Sequence, residues 1–105
     1  MVYSEALAGW VREALAQSKA LSEKRMFGGI AFMVRDHMCC GIIGGRLVVR
    51  VGHERYEEAL AKPHASPMTF SGRPKPGFVY VGSEGYRTDA NLRSWVQRGL
   101  DFVSS

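Results

Sequence analysis

No apolar run in the 105 residues reaches the roughly 18 to 20 that a membrane helix requires. Arg35, Asp36 and Arg46 break the richest stretch. The opening segment MVYSEALAGWVREALAQSK carries Glu5 and Glu13 and lacks a basic start followed by a continuous apolar core. A signal peptide is therefore not expected, and a cytoplasmic setting is. Cysteine is scarce: the chain holds two, the neighbours Cys39 and Cys40. Adjacent strand residues point to opposite faces, so this pair cannot close a useful loop and reads as reduced and buried. There is no Cys-x-x-Cys spacing, and His37, His53 and His64 lie far apart. No metal site is expected from such a pattern.

Catalytic signatures are missing as well. No serine sits in a Gly-x-Ser-x-Gly setting. The Gly28-Gly29 pair leads into a strand rather than a helix and lacks the Lys-Ser/Thr of a phosphate cradle. His37 with either cysteine is the best dyad on offer, but residues two or three apart on a returning strand do not converge. The expectation is a protein that is not an enzyme, with no catalytic residues and no cofactor. The fourteen Lys and Arg residues outnumber ten acids, giving a net charge of +4 and a pI near 9.4. They are scattered from Arg12 to Arg98 among acids such as Glu54, Glu57 and Glu58, without a basic run. A mixed solvated surface is the expectation, ahead of a nucleic-acid face.

What is present is an ordered set of periodic segments. Ser4 can cap a first helix running to about Ser18, with Leu7, Val11 and Leu15 in an apolar stripe that Tyr3, Trp10 and Ala14 widen. Trp10 is accordingly placed in packing, and Gly9 at a close approach. After a polar connection ALSEKR come Gly28 and Gly29, then a strand in which Ile30, Phe32 and Val34 alternate with Ala31, Met33 and Arg35. Arg35-Asp36-His37 forms a turn, Met38 to Ile43 a returning strand, and Gly44-Gly45 a two-residue hairpin into Leu47, Val49 and Val51. A short helix to about Ala61 buries Tyr56, Ala59 and Leu60 and stops at Lys62-Pro63. A loop rich in proline (Pro67, Pro74, Pro76) holds a short strand, Met68 to Phe70. Phe78 to Val81 is a further strand, and Thr88 or Asp89 caps a final helix with the stripe Leu92, Trp95, Val96, Gly99, Val103.

The order α-β-β-β-α-β-β-α describes one α+β domain over residues 1–105, with helices on a mostly antiparallel sheet. The set Arg50, Arg73, Lys75 and Tyr80 places cations around an aromatic in the Gly/Pro-rich region. If the loop folds over the sheet, these residues form an anion-binding recess or an interface edge.

Several stretches together are similar to the TfoX N-terminal domain family. They are Arg25-Met26-Phe27-Gly28-Gly29, Asp36-His37-Met38, Leu47-Val48-Val49-Arg50-Val51, and Phe70-Ser71-Gly72-Arg73-Pro74 ahead of Gly77-Phe78-Val79-Tyr80-Val81. The likeness runs from the first helix to the Trp95-Val96 helix. It implies a secretion-chaperone-like α+β fold and kinship with the N-terminal half of a bacterial competence regulator. That regulator has a further C-terminal domain, whereas this chain is read as a free-standing single domain; the resemblance brings no catalytic residues with it. The leading expectation is a regulatory module that binds a protein partner, with homodimerisation through exposed edge strands as one form. Arg25, Phe27, Gly28, Gly29, Arg50, Arg73, Lys75 and Tyr80 are the candidate surface, and Phe27, Phe70 and Phe78 the candidate anchors. The alternatives are a nucleic-acid-binding accessory protein and a small anionic-ligand binder or enzyme using the cationic-aromatic recess.

Overall fold

In a computed structural model, residues 4–18, 20–26 and 28–104 are described, with the side chains of Met26 and Phe70 outside the description. The elements are α1 (Glu5–Ala14), β1 (Leu21–Met26), β2 (Gly29–Val34), β3 (His37–Ile43), β4 (Arg46–Arg50), α2 (Tyr56–Leu60), β5 (Ala65–Phe70), β6 (Arg73–Val81), a short 3-10 turn (Ser83–Gly85) and α3 (Asp89–Ser104). The six strands form one antiparallel sheet in the order β1-β2-β3-β4-β6-β5. The α+β class and antiparallel sheet are as read from sequence, with one strand more. Leu21–Met26 is a strand, not a connection, because its backbone pairs along the whole length of β2. As an edge strand exposing Ser22, Glu23, Lys24 and Arg25, it carries no apolar alternation to reveal it.

The turns follow from local chemistry. Arg35 and Asp36 both take positive φ (52° and 65°), as a two-residue hairpin turn demands, and His37 already belongs to β3. Gly28 adopts φ 74° in the β1–β2 turn. Next to it, a Cβ on Gly29 would lie 2.0 Å from the Ile42 carbonyl oxygen, so only glycine lets β3 close up there. Ser4 caps α1, its hydroxyl accepting from the Leu7 amide at 3.2 Å, and Thr88 does the same for the Asn91 amide at the start of α3.

All three helices pack on one face of the sheet. Leu7, Ala8, Val11 and Leu15 of α1, Ala59 of α2, and Leu92, Trp95 and Val96 of α3 meet Ile30, Phe32, Val34, Ile42, Leu47, Val49, Val79 and Val81. The alternating strand positions predicted this face. Tyr86 joins it and donates from its hydroxyl to the Gly45 carbonyl, tying the end of the sheet to the entry of α3.

Cys39 and Cys40 depart from the strand rule. Phe32 pairs with Cys40 but Met33 with Met38, so β3 has an extra residue at Cys39. This bulge turns both thiols toward the helices, where both are fully buried. Trp10 departs too: at 48% exposure it lies at the margin of the α1 stripe, not in the core. Among the described residues, nothing lies within 4 Å of where a Gly9 Cβ would be, so none of them makes a close approach there. Tyr3 lies outside the described residues.

Arg12 fastens α1 to β1 by a two-pronged bond to Glu23, at 2.7 and 2.9 Å. The Arg12 guanidinium, outweighing partial burial, holds the Glu23 carboxyl below its ordinary range. A depressed carboxyl contributes stability above its unfolded pKa, about 4.3, and loses it as the pH falls through the folded value. Since both side chains stay over one-third exposed (41% and 35%), the effect is below about 1 kcal/mol. Denaturant titrations should show Glu23→Gln slightly destabilised at neutral pH and equal to the parent once the pH is low enough to protonate the parent's Glu23 in both the folded and the unfolded state.

Candidate functional site

Strand geometry sends every second side chain to the face that carries no helix. A second apolar cluster forms there: Ala31, Met38, Val48, Met68 and Tyr80 are buried, and Met33, Ile43 and Phe78 are packed against them half-buried. The β5–β6 hairpin, at the edge of the same sheet, is irregular. Between Pro67↔Val79 and Thr69↔Pro74 the longer strand takes up extra residues, including Gly77 at φ 91°, and the hairpin ends in Ser71-Gly72, both at positive φ. Met68 thereby reaches the cluster, and the Tyr80 hydroxyl lies 3.5 Å from the Thr69 carbonyl.

Cations roof the aromatics. Arg46 stacks over Tyr80 at 3.8 Å, and Lys75 over Phe78 at 5.4 Å. Arg50 lies between Phe78 (5.4 Å) and Phe102 of α3 (4.6 Å). Such contacts contribute about 0.5–1 kcal/mol each where exposed. Register adds Lys24, which shares a row with Ala31, Gly41, Val48 and Tyr80.

None of these cations makes an ion pair among the described residues. The four ion pairs are Arg12–Glu23, Arg87–Glu84, Arg93–Asp89 and Arg98–Glu58, each involving a helix or the turn before α3. The acids explain the asymmetry. Glu5, Glu13, Glu54, Glu57, Glu58, Glu84, Asp89 and Asp101 lie on helices or the segments adjoining them, Glu23 faces α1, and Asp36 sits in the β2–β3 turn. The charges that look mixed along the chain are sorted by the fold, leaving the helix-free face positive.

The residues singled out from sequence do not form a single site. Arg50 and Lys75 meet at Phe78, and Tyr80 belongs to the same cluster, under Arg46. Arg73 is exposed at the hairpin tip, its backbone paired with that of Phe70. Arg25 pairs with Ile30, a helix-side position, and so belongs to the other face. Gly28 and Gly29 lie at the end of the sheet that carries the Gly44-Gly45 turn, whereas Arg50 closes the opposite end. Phe27 lies outside the described residues, as does the Phe70 side chain. Arg46 and Lys24 were missed. Arg46 stands at the same strand parity as Val48 and Arg50 and was recoverable from alternation; Lys24 was not, its strand having no pattern.

The thiols and His37 are separated: His37 is exposed, while both cysteines are buried on the helix side. Cys39 Sγ lies 3.9 Å from the Val96 carbonyl. The Cys40 thiol is pushed well up by its hydrogen bond with the Cys39 thiol and by burial, which disfavours the reactive thiolate. Ellman's reagent should label neither of the two thiols in the native protein and both after denaturation. Fast native labelling would contradict the packing described. No group of three or more His, Cys, Asp or Glu able to hold a metal occurs among the described residues. Nor, among them, is any helix long and apolar enough to cross a membrane.

The family model for the TfoX N-terminal domain matches residues 13–103, nearly the whole chain. No curated protein and no solved structure shows significant similarity to it.

Proposed function

The chain belongs to the TfoX N-terminal domain family, and on that premise we propose that it is a non-catalytic regulatory module whose helix-free face takes an acidic segment of a partner protein. The observation that carries this reading is the row of cations stacked on aromatics without a carboxylate among the described residues. A guanidinium lying flat on a ring keeps its N–H edge free for two-pronged bonding to a carboxylate. Arg46 and Arg50, four residues apart on β4, are separated by about 13 Å at the strand rise. Carboxylates four apart on an extended acidic segment match that spacing.

Two other occupants are less well matched. Single-stranded nucleic acid binds through free aromatic faces on which bases stack, and here Arg46, Arg50 and Lys75 cover the rings. A second copy would set like charges against each other on this face, and the edge strands discourage pairing through β1 charges and Pro67 in β5.

Titration with an Asp/Glu-rich peptide should give saturable binding that weakens as salt rises. An oligonucleotide of equal charge should bind more weakly. Binding of the oligonucleotide alone would transfer the site to the nucleic-acid reading, and a concentration-dependent dimer with no peptide binding would transfer it to self-association.

A further inference from the structure

On the other side of the sheet, a cleft of about 360 Å³ opens between the end of α2 and the first turns of α3. Its walls include Lys62, His64, Asn91, Ser94, Trp95 and Arg98. Arg98 is the least satisfied of these. Its side chain is only 16% exposed, Nη2 donates to Glu58 at 3.2 Å, and Nη1 is buried without a hydrogen-bond partner among the described residues. Lys62 makes no ion pair among the described residues. Glu84, the acid in the lining, is engaged by Arg87 at 3.2 Å. Around Glu58 the balance is positive as well: Arg98, Lys62 and Arg55 all act to hold its carboxyl below the ordinary range.

We propose that this cleft binds the phosphate group of a small phosphorylated molecule. Arg98 and Lys62 bring two positive charges, and the Asn91 amide and Ser94 hydroxyl bring neutral donors. A tetrahedral dianion has three or four oxygens to satisfy, whereas a carboxylate has two, so the mixed donor set suits the former. Trp95 and Pro63 supply an apolar wall for the rest of the ligand, and the volume lies within the usual range for small-molecule sites. The site lies across the sheet from the cationic face and stands or falls separately from it.

Trp95 makes the test direct. In a Trp10→Phe background it is the one remaining tryptophan. Inorganic phosphate and glycerol phosphate, each titrated at constant ionic strength, should both change its fluorescence saturably, the ester binding more tightly because it also meets the apolar wall. Lys62→Gln and Ser94→Ala lie on exposed positions and should each weaken binding by roughly tenfold. Arg98→Lys should weaken it further by removing the fork. Tighter binding of phosphate than of the ester would restrict the site to the free ion and overturn the small-molecule assignment. A non-saturating response, or Lys62→Gln and Ser94→Ala binding as the parent does, would overturn the site altogether.

Discussion

Gly99→Ala is expected to destabilise the protein by at least about 3 kcal/mol, the upper end of the usual range for overpacking. A Cβ there would lie 2.3 Å from the Cys39 carbonyl oxygen and 2.9 Å from its sulfur. Carbonyl oxygen on a central strand cannot step aside. The remaining adjustment is for α3 to lift off β3, which opens the packing of Leu92, Trp95 and Val96. Gly9→Ala gives the opposite sign. No described residue lies within 4 Å of the added methyl, and replacing an interior helical glycine stabilises by about 0.5–1 kcal/mol. Thermal melts resolve both, since 1 kcal/mol moves the midpoint by roughly 4–8 °C in a domain near this size. Equal effects at the two glycines would contradict the packing of α3 on the Cys39 bulge.

The second large effect concerns the helix-free face. Reversing two of its cations together, Arg46→Glu with Lys75→Glu, should weaken binding of an acidic peptide by roughly a hundredfold, about 1.4 kcal/mol for each lost attraction and added repulsion. Reversal of Arg93, whose partner Asp89 lies 2.9 Å away on α3, should change binding little. Because Arg46 and Lys75 are exposed, the double variant should still fold, destabilised by about 1–2 kcal/mol through loss of its two ring contacts. Its melt separates a binding defect from a structural one. Equal losses per reversed charge from the Arg93 and Arg46/Lys75 variants would mean that net charge alone drives association.

Legibility in the sequence tracked how local each determinant is. Although the sequence extends the first of them one residue too far, through His37, the hairpin turns at Arg35-Asp36 and Gly44-Gly45 are set by two residues each and were legible locally. So were the α3 stripe and the alternation of β2 and β4, which are periodic signals. β1 was lost because its pairing with β2 is a tertiary contact with no apolar pattern behind it. The Cys39 bulge is a register shift between two strands, and neither strand shows it alone. Trp10 satisfied the helical spacing, but Leu7, Ala8 and Val11 already fill the contact. The candidate surface was half legible: proximity of Arg50, Lys75 and Tyr80 came through the loop between them. The assignment of Arg25 to the opposite face depended on a strand that was not recognised. Charge sorting was invisible for the same reason, since a dispersed sequence becomes a one-sided surface only once strand parity is known.

Amide chemical-shift mapping during titration with an Asp/Glu-rich peptide addresses the helix-free face most directly. The shifts are expected to concentrate at Lys24, Ala31, Arg46, Val48, Arg50, Lys75 and Tyr80, leaving α1 and α3 still apart from the neighbourhood of Phe102. Shifts confined to the helices, or none at peptide concentrations that saturate other acidic-segment binders, would contradict the assignment of this face as the partner surface.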